Sequence, residues 1–297
     1  MKKSALISIL AAGVLWGCMG LFVRTLQNNY GFTSLNIVCL RLTFAALAFI
    51  ILALIRKTPP IKPKDAPLLY CTGVSGIMLL SVTYFLSMTY SSLSVAAILM
   101  YTAPAFVLIA SVILFKEKLT IHKIAALILA FAGCVFVSGI FGGDAKVTFM
   151  GVVMGILSGI TYGSYSIFGT FALRKYNTYT VTTWAFAFAA ITSLFIGNVP
   201  EIVTITATSG KAAEIIILSV AMGIFSAFMP FLLYTIGLSK CEASKAIIVA
   251  SVEPLVATLL GFACFDETPT IFSVIGIVLI LASVVLTTIK EKEIVRQ

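Results

Sequence analysis

An acid beside a proline interrupts the apolar run IIVASVEPLVATLL, residues 247–260. The acid is Glu253, and an ionised carboxylate deep in a membrane is costly unless it is paired or hydrated. One use is structural: the acid could satisfy backbone groups that Pro254 leaves open. The other is functional: the acid could take up and release a proton during transport, or hold the amino group of a substrate. The sequence leaves both open.

Aromatic side chains with polar groups form a second set of candidates. A tyrosine or tryptophan inside a membrane needs a hydrogen-bond partner and offers a ring on which a ligand can stack. Trp16, Tyr101 and Tyr162 fall near the middle of apolar runs, and we expect them to line a central substrate site. Tyr84 and Tyr234 lie nearer the ends of their runs, where substrate binding and an interfacial aromatic belt are equal alternatives.

Two prolines and one arginine also fall inside apolar runs. Pro104 and Pro254 should open the helical hydrogen-bond ladder at mid-span. Each opening is either a kink satisfied by Ser or Thr, or a ligand-facing break that serves as a hinge. Arg41 is predicted to be the only base within a span, so it must face protein or water, or snorkel to the outer surface.

Enzymatic chemistry has little support in the sequence. The motif GVSG, residues 73–76, has the form of a membrane serine protease, but the sole histidine, His122, is predicted to lie in a cytoplasmic loop. The three aspartates, Asp65, Asp144 and Asp266, are predicted in loops, so they form no acid pair within a span. The six cysteines indicate neither a disulfide framework nor a metal site. We predict no catalytic residue, no metal and no cofactor.

The elements that position these residues are membrane helices. The 297-residue chain is 60% hydrophobic and 10% charged, which is far more apolar than a soluble domain. Apolar runs of about 20 residues recur, and each is long enough to cross a bilayer. The predicted spans are 5–23, 34–55, 67–88, 94–115, 120–141, 149–172, 178–198, 213–236, 243–265 and 270–289.

The net charge of +9 reflects topology rather than nucleic-acid binding. With the N-terminus inside, sixteen of the twenty Lys and Arg fall in predicted cytoplasmic segments. Arg24, Lys146 and Lys211 fall on the other side, and Arg41 lies inside a span. The positive-inside rule therefore favours a cell-membrane protein with both termini in the cytoplasm.

The chain contains an internal repeat. At an offset of 150 residues Tyr84 matches Tyr234, Pro104 matches Pro254 and Glu117 matches Glu267, whereas Glu253 matches Ala103. Near the start of each half the offset is 146. We predict two five-helix units, 5–141 and 149–289. Because five is odd, the second unit should enter the membrane from the opposite side, as in the inverted repeats of secondary transporters.

Small residues and helix ends complete the pattern. Glycines four residues apart, Gly13 with Gly17 and the ladder at 151, 155, 159 and 163, should allow close approach of neighbouring backbones. Glu117 and Glu267 follow the fourth and ninth spans and are predicted to serve turns or helix caps. Thr120 and Thr270 are predicted to cap the helices that follow.

Several motifs in this order resemble one family. They are GVLWGCMGLFVR in the first helix, Arg41 in the second, YSSLSVAAILMYTAP followed by FKEKLT, and LSKCEASKAIIVASVEP followed by FDETPT. Together they are similar to the EamA-type family of the drug/metabolite transporter superfamily. The resemblance covers nearly the whole chain. It implies a ten-helix fold, cytoplasmic termini and movement of small metabolites, often amino acids outward.

We therefore predict an all-α integral membrane protein with ten transmembrane helices in two inverted five-helix repeats. The predicted function is secondary transport of small metabolites such as amino acids, in the export direction, by alternating access. A facilitative pore and, less favoured, an intramembrane enzyme are the alternatives. The predicted partners are the substrate, the bilayer and protons as a coupling ion, without nucleic acid, and the chain is expected to be a monomer or homodimer.

Overall fold

The computed structural model describes residues 1–138, 140–142, 147–264 and 270–288, and within these ranges it contains helices and turns but no strand. The α-helices of the first half are α1 (Lys3–Gly17), α2 (Met19–Tyr30), α3 (Ser34–Ile55), α4 (Ala66–Gly73), α5 (Leu80–Tyr90), α6 (Leu93–Met100), α7 (Ala103–Phe115) and α8 (Ile121–Val137). Those of the second half are α9 (Phe149–Leu173), α10 (Thr178–Leu194), α11 (Val199–Thr208), α12 (Ala212–Gly223), α13 (Met229–Leu238), α14 (Ala243–Ala250), α15 (Glu253–Cys264) and α16 (Ile271–Thr288). The predictions for Asp144, Lys146, Asp266 and Glu267 lie outside the described residues.

Eight helical segments of the described chain are long and apolar enough to cross a membrane. They are Lys3–Tyr30, Ser34–Ile55, Pro63–Tyr90, Val95–Phe115, Phe149–Leu173, Ala212–Leu238, Ala243–Cys264 and Ile271–Thr288. α10 and α11 pass the same test only together, with a bend of 80° between them, and α8 is apolar but has 17 residues. The chain is thus a multi-pass, all-α integral membrane protein. The count of ten crossings stays a prediction.

Two predicted boundaries are wrong. The first span was expected to end at residue 23, but the helix continues through α2 to Tyr30, so Arg24 lies on a helix rather than in a loop. α2 ends at Gly31, whose φ of 74° is the left-handed conformation that commonly closes a helix. The seventh span was expected to reach residue 198, but α10 ends at Leu194 and a second helix begins beyond Asn198.

The fourth and ninth spans are each broken into two half-helices. α6 ends at Met100 and α7 begins at Ala103, while α14 ends at Ala250 and α15 begins at Glu253. These positions differ by 150 residues, so the two breaks are equivalent in the repeat. Pro104 and Pro254 are the second residues of α7 and α15, where a missing N–H leaves no helical hydrogen bond unmade.

The third and eighth spans share another irregularity. Val74–Leu79 and Ile224–Phe228 are π-helical, and they start 150 residues apart. A glycine precedes each segment, and a Cβ at either position would clash with a neighbouring helix: Gly73 faces the Ala185 carbonyl and Gly223 faces Phe44. Such π segments are rare and frequently occur at functional sites.

The glycine-rich faces pack against the two breaks. On α1, Gly13 faces Val252, and a Cβ at Gly17 would lie 2.8 Å from the carbonyl oxygen of Glu253. On α9, a Cβ at Gly159 would lie 2.9 Å from the Leu99 carbonyl oxygen, and one at Gly163 would lie 2.8 Å from Val107. Each break is therefore held against a helix from the other half of the chain by contacts that only glycine permits.

Charged residues at the helix ends correct three further expectations. Arg41 is not the only base on a spanning segment, since Arg24 lies in Lys3–Tyr30 and Lys245 in Ala243–Cys264, and Lys123 lies on the shorter apolar helix α8. Lys123 is 2% exposed and pairs with Glu117 at 3.1 Å. His122, predicted in a loop, is the second residue of α8, and Asp65, also predicted in a loop, ends a short 3₁₀ turn.

The caps predicted for Thr120 and Thr270 are found, and Glu117 caps a distant helix. The Glu117 carboxylate accepts hydrogen bonds from the backbone N–H of Ala243, at 3.1 Å, and from the Ser244 hydroxyl. It therefore caps α14, in the other half of the chain. As predicted, Thr120 caps α8, and the Thr270 hydroxyl oxygen accepts from the backbone N–H of Ser273 in α16.

Candidate functional site

Glu253 stands at the break between α14 and α15, as the first residue of α15. Its carboxylate is half-buried and accepts a hydrogen bond of 3.4 Å from the Tyr162 hydroxyl of α9. Free N–H groups and the helix dipole at an N-terminus favour a negative charge there. The half-helix thus gives Glu253 some electrostatic support, while the long contact to Tyr162 leaves acceptor capacity on the carboxylate.

Tyr84 and Tyr101 approach the same acid from the first half of the chain. Both lie in one apolar cluster with Val252, Leu255 and Tyr162. Tyr84, Tyr101 and Tyr162 are all close enough to interact electrostatically with Glu253. Three tyrosines predicted as site residues are therefore grouped around the acid, and they come from α5, the α6–α7 break and α9.

Trp16 connects this group to a second aromatic cluster. Its ring lies edge-on to Tyr162, with centroids 6.4 Å apart, and edge-on to Phe231 at 5.0 Å. The Tyr234 ring lies 5.4 Å from Trp16 on the side of Phe231 and Tyr165. Trp16 therefore separates the tyrosines around Glu253 from a buried aromatic cluster.

Tyr234 belongs to that buried cluster rather than to the immediate surroundings of Glu253. It is 2% exposed, and its hydroxyl shares a hydrogen bond of 2.7 Å with Ser166 of α9. The neighbouring Tyr165 shares a similar bond of 2.7 Å with Thr235. These contacts join α9 to α13 and satisfy the polar groups of both rings, and no hydrogen bond joins Tyr234 to Glu253 among the described residues.

Arg41 is the residue near the site that sequence reasoning did not assign to it. It lies on α3 and is 8% exposed, so it faces protein and does not snorkel to the surface. Its Nη1 donates to the Met19 sulfur at 2.6 Å, its Nη2 donates to the Ser81 hydroxyl at 3.4 Å, and its Nε has no hydrogen-bond partner within the described ranges. Its charge interacts with that of Glu253, but no ion pair within 4 Å joins the two among the described residues.

A signal for Arg41 was present in the sequence. The rule that makes an intramembrane acid a functional candidate applies equally to an intramembrane base. Opposite charges within a membrane also tend to lie near each other. Applied to Arg41 and Glu253 together, these two rules would have predicted that the second and ninth spans, which carry these residues, approach each other at the site.

Ion pairs join the two halves away from this site. Lys123 contacts both Glu117 and Glu242, the latter at 3.3 Å, and Lys245 pairs with Glu242 at 3.0 Å. Elsewhere, Lys175 donates to Asp65 at 2.6 Å, and the Tyr176 hydroxyl donates to the same carboxylate at 2.7 Å. The hydrogen bond with Asp65 raises the pKa of Lys175 above its ordinary value. All of these residues fall where the charge pattern predicts the cytoplasmic side.

The fold has a solved counterpart. A protein crystal structure superposes on the chain with a TM-score of 0.78, covering 97% of both chains at 18% sequence identity. At this identity the likeness shows the fold alone.

The chain also has relatives along its whole length. An uncharacterized transporter of Archaeoglobus fulgidus is 30% identical over 273 residues, covering 92% of this chain and 95% of the relative. The uncharacterized inner membrane transporter YicL of Salmonella typhimurium is 22% identical and covers 98% of this chain and 97% of the relative. The uncharacterized transporter YxxF of Bacillus subtilis is 24% identical, covering 98% and 91%.

The apolar broken helices and these relatives define the class of a multi-pass membrane transporter. The sequence model of the EamA-like transporter family matches residues 3–139 and 149–289. The chain belongs to this family, as the motifs of its first, fourth and ninth predicted spans indicated.

Proposed function

We propose that the protein is a secondary transporter that exports small metabolites, such as amino acids, across the cytoplasmic membrane by alternating access. The observation that carries this proposal is the pair of equivalent helix breaks at Met100–Ala103 and Ala250–Glu253. Discontinuous helices near mid-membrane form the substrate and ion sites of many secondary transporters. One break presents Glu253, and Tyr101 of the other break lies in an apolar cluster with Val252 and Leu255 on either side of that acid.

An inverted repeat would let the site open to either side in turn. We propose that residues 5–141 and 149–289 are the two five-helix units. The equivalent breaks and the π-helical segments at Val74 and Ile224 support this division, because both recur at the offset of 150 residues. Two copies in opposite orientations can exchange conformations, so that each half in turn supplies the open side.

Glu253 is the proposed coupling residue, with Trp16, Tyr84, Tyr101, Tyr162 and Tyr234 as proposed substrate-binding residues and Pro104 and Pro254 as proposed hinge positions. A half-buried carboxylate that accepts a single long hydrogen bond from the described residues can exchange a proton or an amine without breaking a hydrogen-bond network. A change in the protonation or binding of Glu253 would reach Trp16 through Tyr162, since Tyr162 contacts both residues. Tyr234 would support the Trp16 ring from behind.

The proposed location is the cytoplasmic membrane, with both termini in the cytoplasm. The charge asymmetry supports this orientation, and a relative bears the name of an inner membrane transporter. Single cysteines at positions 62 and 211, on a background free of native cysteines, test it with an impermeant thiol reagent. Labelling from outside should reach position 211 and spare position 62, and equal labelling of both would contradict the orientation.

Proteoliposomes with an imposed pH gradient test the transport mechanism. A panel of radiolabelled metabolites should include solutes whose uptake follows the gradient in the parent protein. Glu253→Gln keeps the shape of the side chain but cannot ionise, so it should insert normally and lose gradient-driven uptake. The matched control is Glu214→Gln, because Glu214 is 52% exposed and pairs with Lys211 away from the site.

Three results would change the proposal. Gradient-driven uptake by Glu253→Gln with an unchanged pH dependence would reduce Glu253 to a helix-packing residue. Passage that is independent of the gradient and reaches channel-like rates would favour a facilitative pore. Turnover of a panel solute into a new compound would favour an enzyme, although the Ser75 hydroxyl is engaged with Ser164 at 2.8 Å and with the Cys71 carbonyl at 2.6 Å.

A further inference from the structure

Arg41 carries a buried positive charge, and no acidic side chain among the described residues forms an ion pair with it. The residue is 8% exposed, and its two hydrogen-bond partners in the described part of the chain, a thioether and a hydroxyl, are both neutral. The Ser81 hydroxyl already donates to the Ile77 carbonyl at 3.0 Å, so it can only accept from Arg41. A buried cation is retained in a membrane when it is paired or hydrated, or when it binds a ligand.

The arrangement of neighbouring groups shows what kind of ligand would fit. Glu253 is near enough to interact with Arg41 electrostatically, yet the two do not form an ion pair within 4 Å. The Tyr162 hydroxyl donates to the acid at 3.4 Å, and Tyr84 and Tyr101 lie in the same apolar cluster as Tyr162 and Val252. A positive group, a negative group and apolar rings are thus close together but separated, which complements a small solute with opposite charges at its two ends.

We propose that Arg41 is the anchor for a carboxylate of the transported solute, opposite Glu253, which holds its ammonium group. The inference rests on the proposed transport function and names the subsite that would recognise the anionic end. Guanidinium matches a carboxylate because its planar fork donates two parallel hydrogen bonds. The unpartnered Nε and the weakly bonded Nη2 are the two donors that such a fork uses.

The α3 backbone around Arg41 packs closely on the neighbouring helix. The Arg41 carbonyl oxygen lies against Gly223, just before the π-helical segment Ile224–Phe228, and a Cβ at Gly223 would come 3.3 Å from it. The guanidinium therefore projects from a packed helix, and sites built on helices position a side chain more precisely than sites on loops.

Trp16 provides a direct measurement of binding. The chain has two tryptophans, Trp16 and Trp184, and Trp184 lies in a separate cluster against Phe188. In a Trp184→Phe background, the fluorescence of Trp16 excited at a wavelength selective for tryptophan reports changes beside Tyr162 and Phe231. The probes are L-phenylalanine and L-leucine, with L-phenylalaninamide and L-leucinamide as analogues that lack the carboxylate.

The experiment compares the ratio of dissociation constants for each amide and its parent amino acid. In the Trp184→Phe protein the amino acid should bind about tenfold or more tightly than its amide, as expected for a hydrogen bond between charged groups. Arg41→Gln should bring this ratio close to one, and Arg41→Lys, which keeps the charge but not the fork, should give an intermediate ratio. Arg56→Gln, which removes an exposed arginine over the ring of Tyr179, should leave the ratio unchanged.

Several outcomes would overturn the anchor. They are equal weakening of amino acid and amide by Arg41→Gln, tighter binding of the amides than of the amino acids by the parent, and binding of neither amino acid. If Arg41→Gln fails to fold, the ratio in the parent and in Arg41→Lys still decides the matter. Failure of the transport function is separate: it would appear as a parent protein that exchanges no solute of a broad metabolite panel in proteoliposomes.

Discussion

The two broken helices have the same backbone design and different chemistry. Both breaks fall at the same repeat position, and both place a proline second in the half-helix that follows. The first break has Ala103 where the second has Glu253, and Ala103 is fully buried whereas Glu253 is half-buried. The first break therefore shows that this geometry forms without an acid. Glu253 is an addition to a working scaffold, and its presence needs a local explanation.

The two broken helices also differ in the residues that pack against them and cap them. The first break packs on α9 through Gly159, and the second packs on α1 through Gly13 and Gly17. At the start of α6 the Ser92 hydroxyl accepts from the backbone N–H of Val95 at 3.3 Å, a local cap. At the start of α14 the cap is Glu117, from the other half of the chain. The second broken helix therefore has more charged residues than the first, and its start is capped by a residue from the other half of the chain.

The largest expected effect comes from making the second break resemble the first. Glu253→Ala should fold and insert, because Ala103 serves at the equivalent position, but it should lose transport by about tenfold or more, since a charged hydrogen-bonding group is removed. Initial rates in proteoliposomes and elution as a single species from size-exclusion chromatography measure the two effects. An unfolded Glu253→Ala protein would show that the acid is part of the break itself.

Next in size is the loss of the distant cap. Glu117→Ala should lower the free energy of unfolding by about 3–5 kcal/mol, because it leaves Lys123 buried with less compensation and removes the cap of α14. Ser92→Ala, which removes only the local cap of α6, should cost about 1 kcal/mol. Thermal unfolding in detergent compares the variants, and equal losses would contradict the difference between the two helix starts.

A smaller contrast concerns the glycines that hold the breaks. In Gly17→Ala the new Cβ would lie 2.8 Å from the Glu253 carbonyl oxygen, a backbone atom that cannot easily yield. In Gly163→Ala its closest neighbour is a methyl group of Val107, also at 2.8 Å, which can move. Gly17→Ala should therefore cost about 1–3 kcal/mol and Gly163→Ala less. Melting temperatures of the two purified variants give the order, and the reverse order would be inconsistent with these contacts.

The smallest expected effect is a pH dependence of the melting temperature that arises at the start of α14 and not at the start of α6. Burial tends to raise the pKa of Glu242, but hydrogen bonds and charges from Lys245 and Lys123 outweigh it, so the pKa lies below its ordinary value of 4.5. The resulting stabilisation is present above pH 4.5 and is lost as the pH falls through the lowered pKa. The equivalent residue of the first copy, Ser92, does not titrate. Glu242→Gln should therefore weaken the acid sensitivity of the melting temperature between pH 7 and pH 3.5, and an unchanged profile would assign that sensitivity to other groups.

The sequence was sufficient for the class of fold and for much of the site. Apolar runs predicted the helices because lipid requires long apolar segments, and the 150-residue offset placed Pro104 and Pro254 at equivalent positions. The charge of Glu253 singled it out because few acids occur in such runs. Tyr101 and Tyr162, chosen from their position in the runs, lie close to Glu253 in the structure.

Other features could not be read from one sequence. The role of Glu117 depends on contact between segments more than 120 residues apart, and local pattern contains no such information. The π-helical segments arise from packing around Gly73 and Gly223, and hydropathy does not distinguish them from α-helix. The bend after α10 depends on the left-handed Asn198, with a φ of 44°, within a run that remains apolar.

The cap supplied by Glu117 also has a consequence for how the chain is made. A ribosome synthesises Glu117 well over a hundred residues before Ala243, and N-terminal parts of a chain generally fold first. The carboxylate that caps the start of α14 is therefore already synthesised when that helix emerges. A second half produced alone would insert α14 without this acceptor, although Lys245 would keep its pairing with Glu242. A first half produced alone would keep the pair of Glu117 with Lys123, but Lys123 would lose its contact with Glu242.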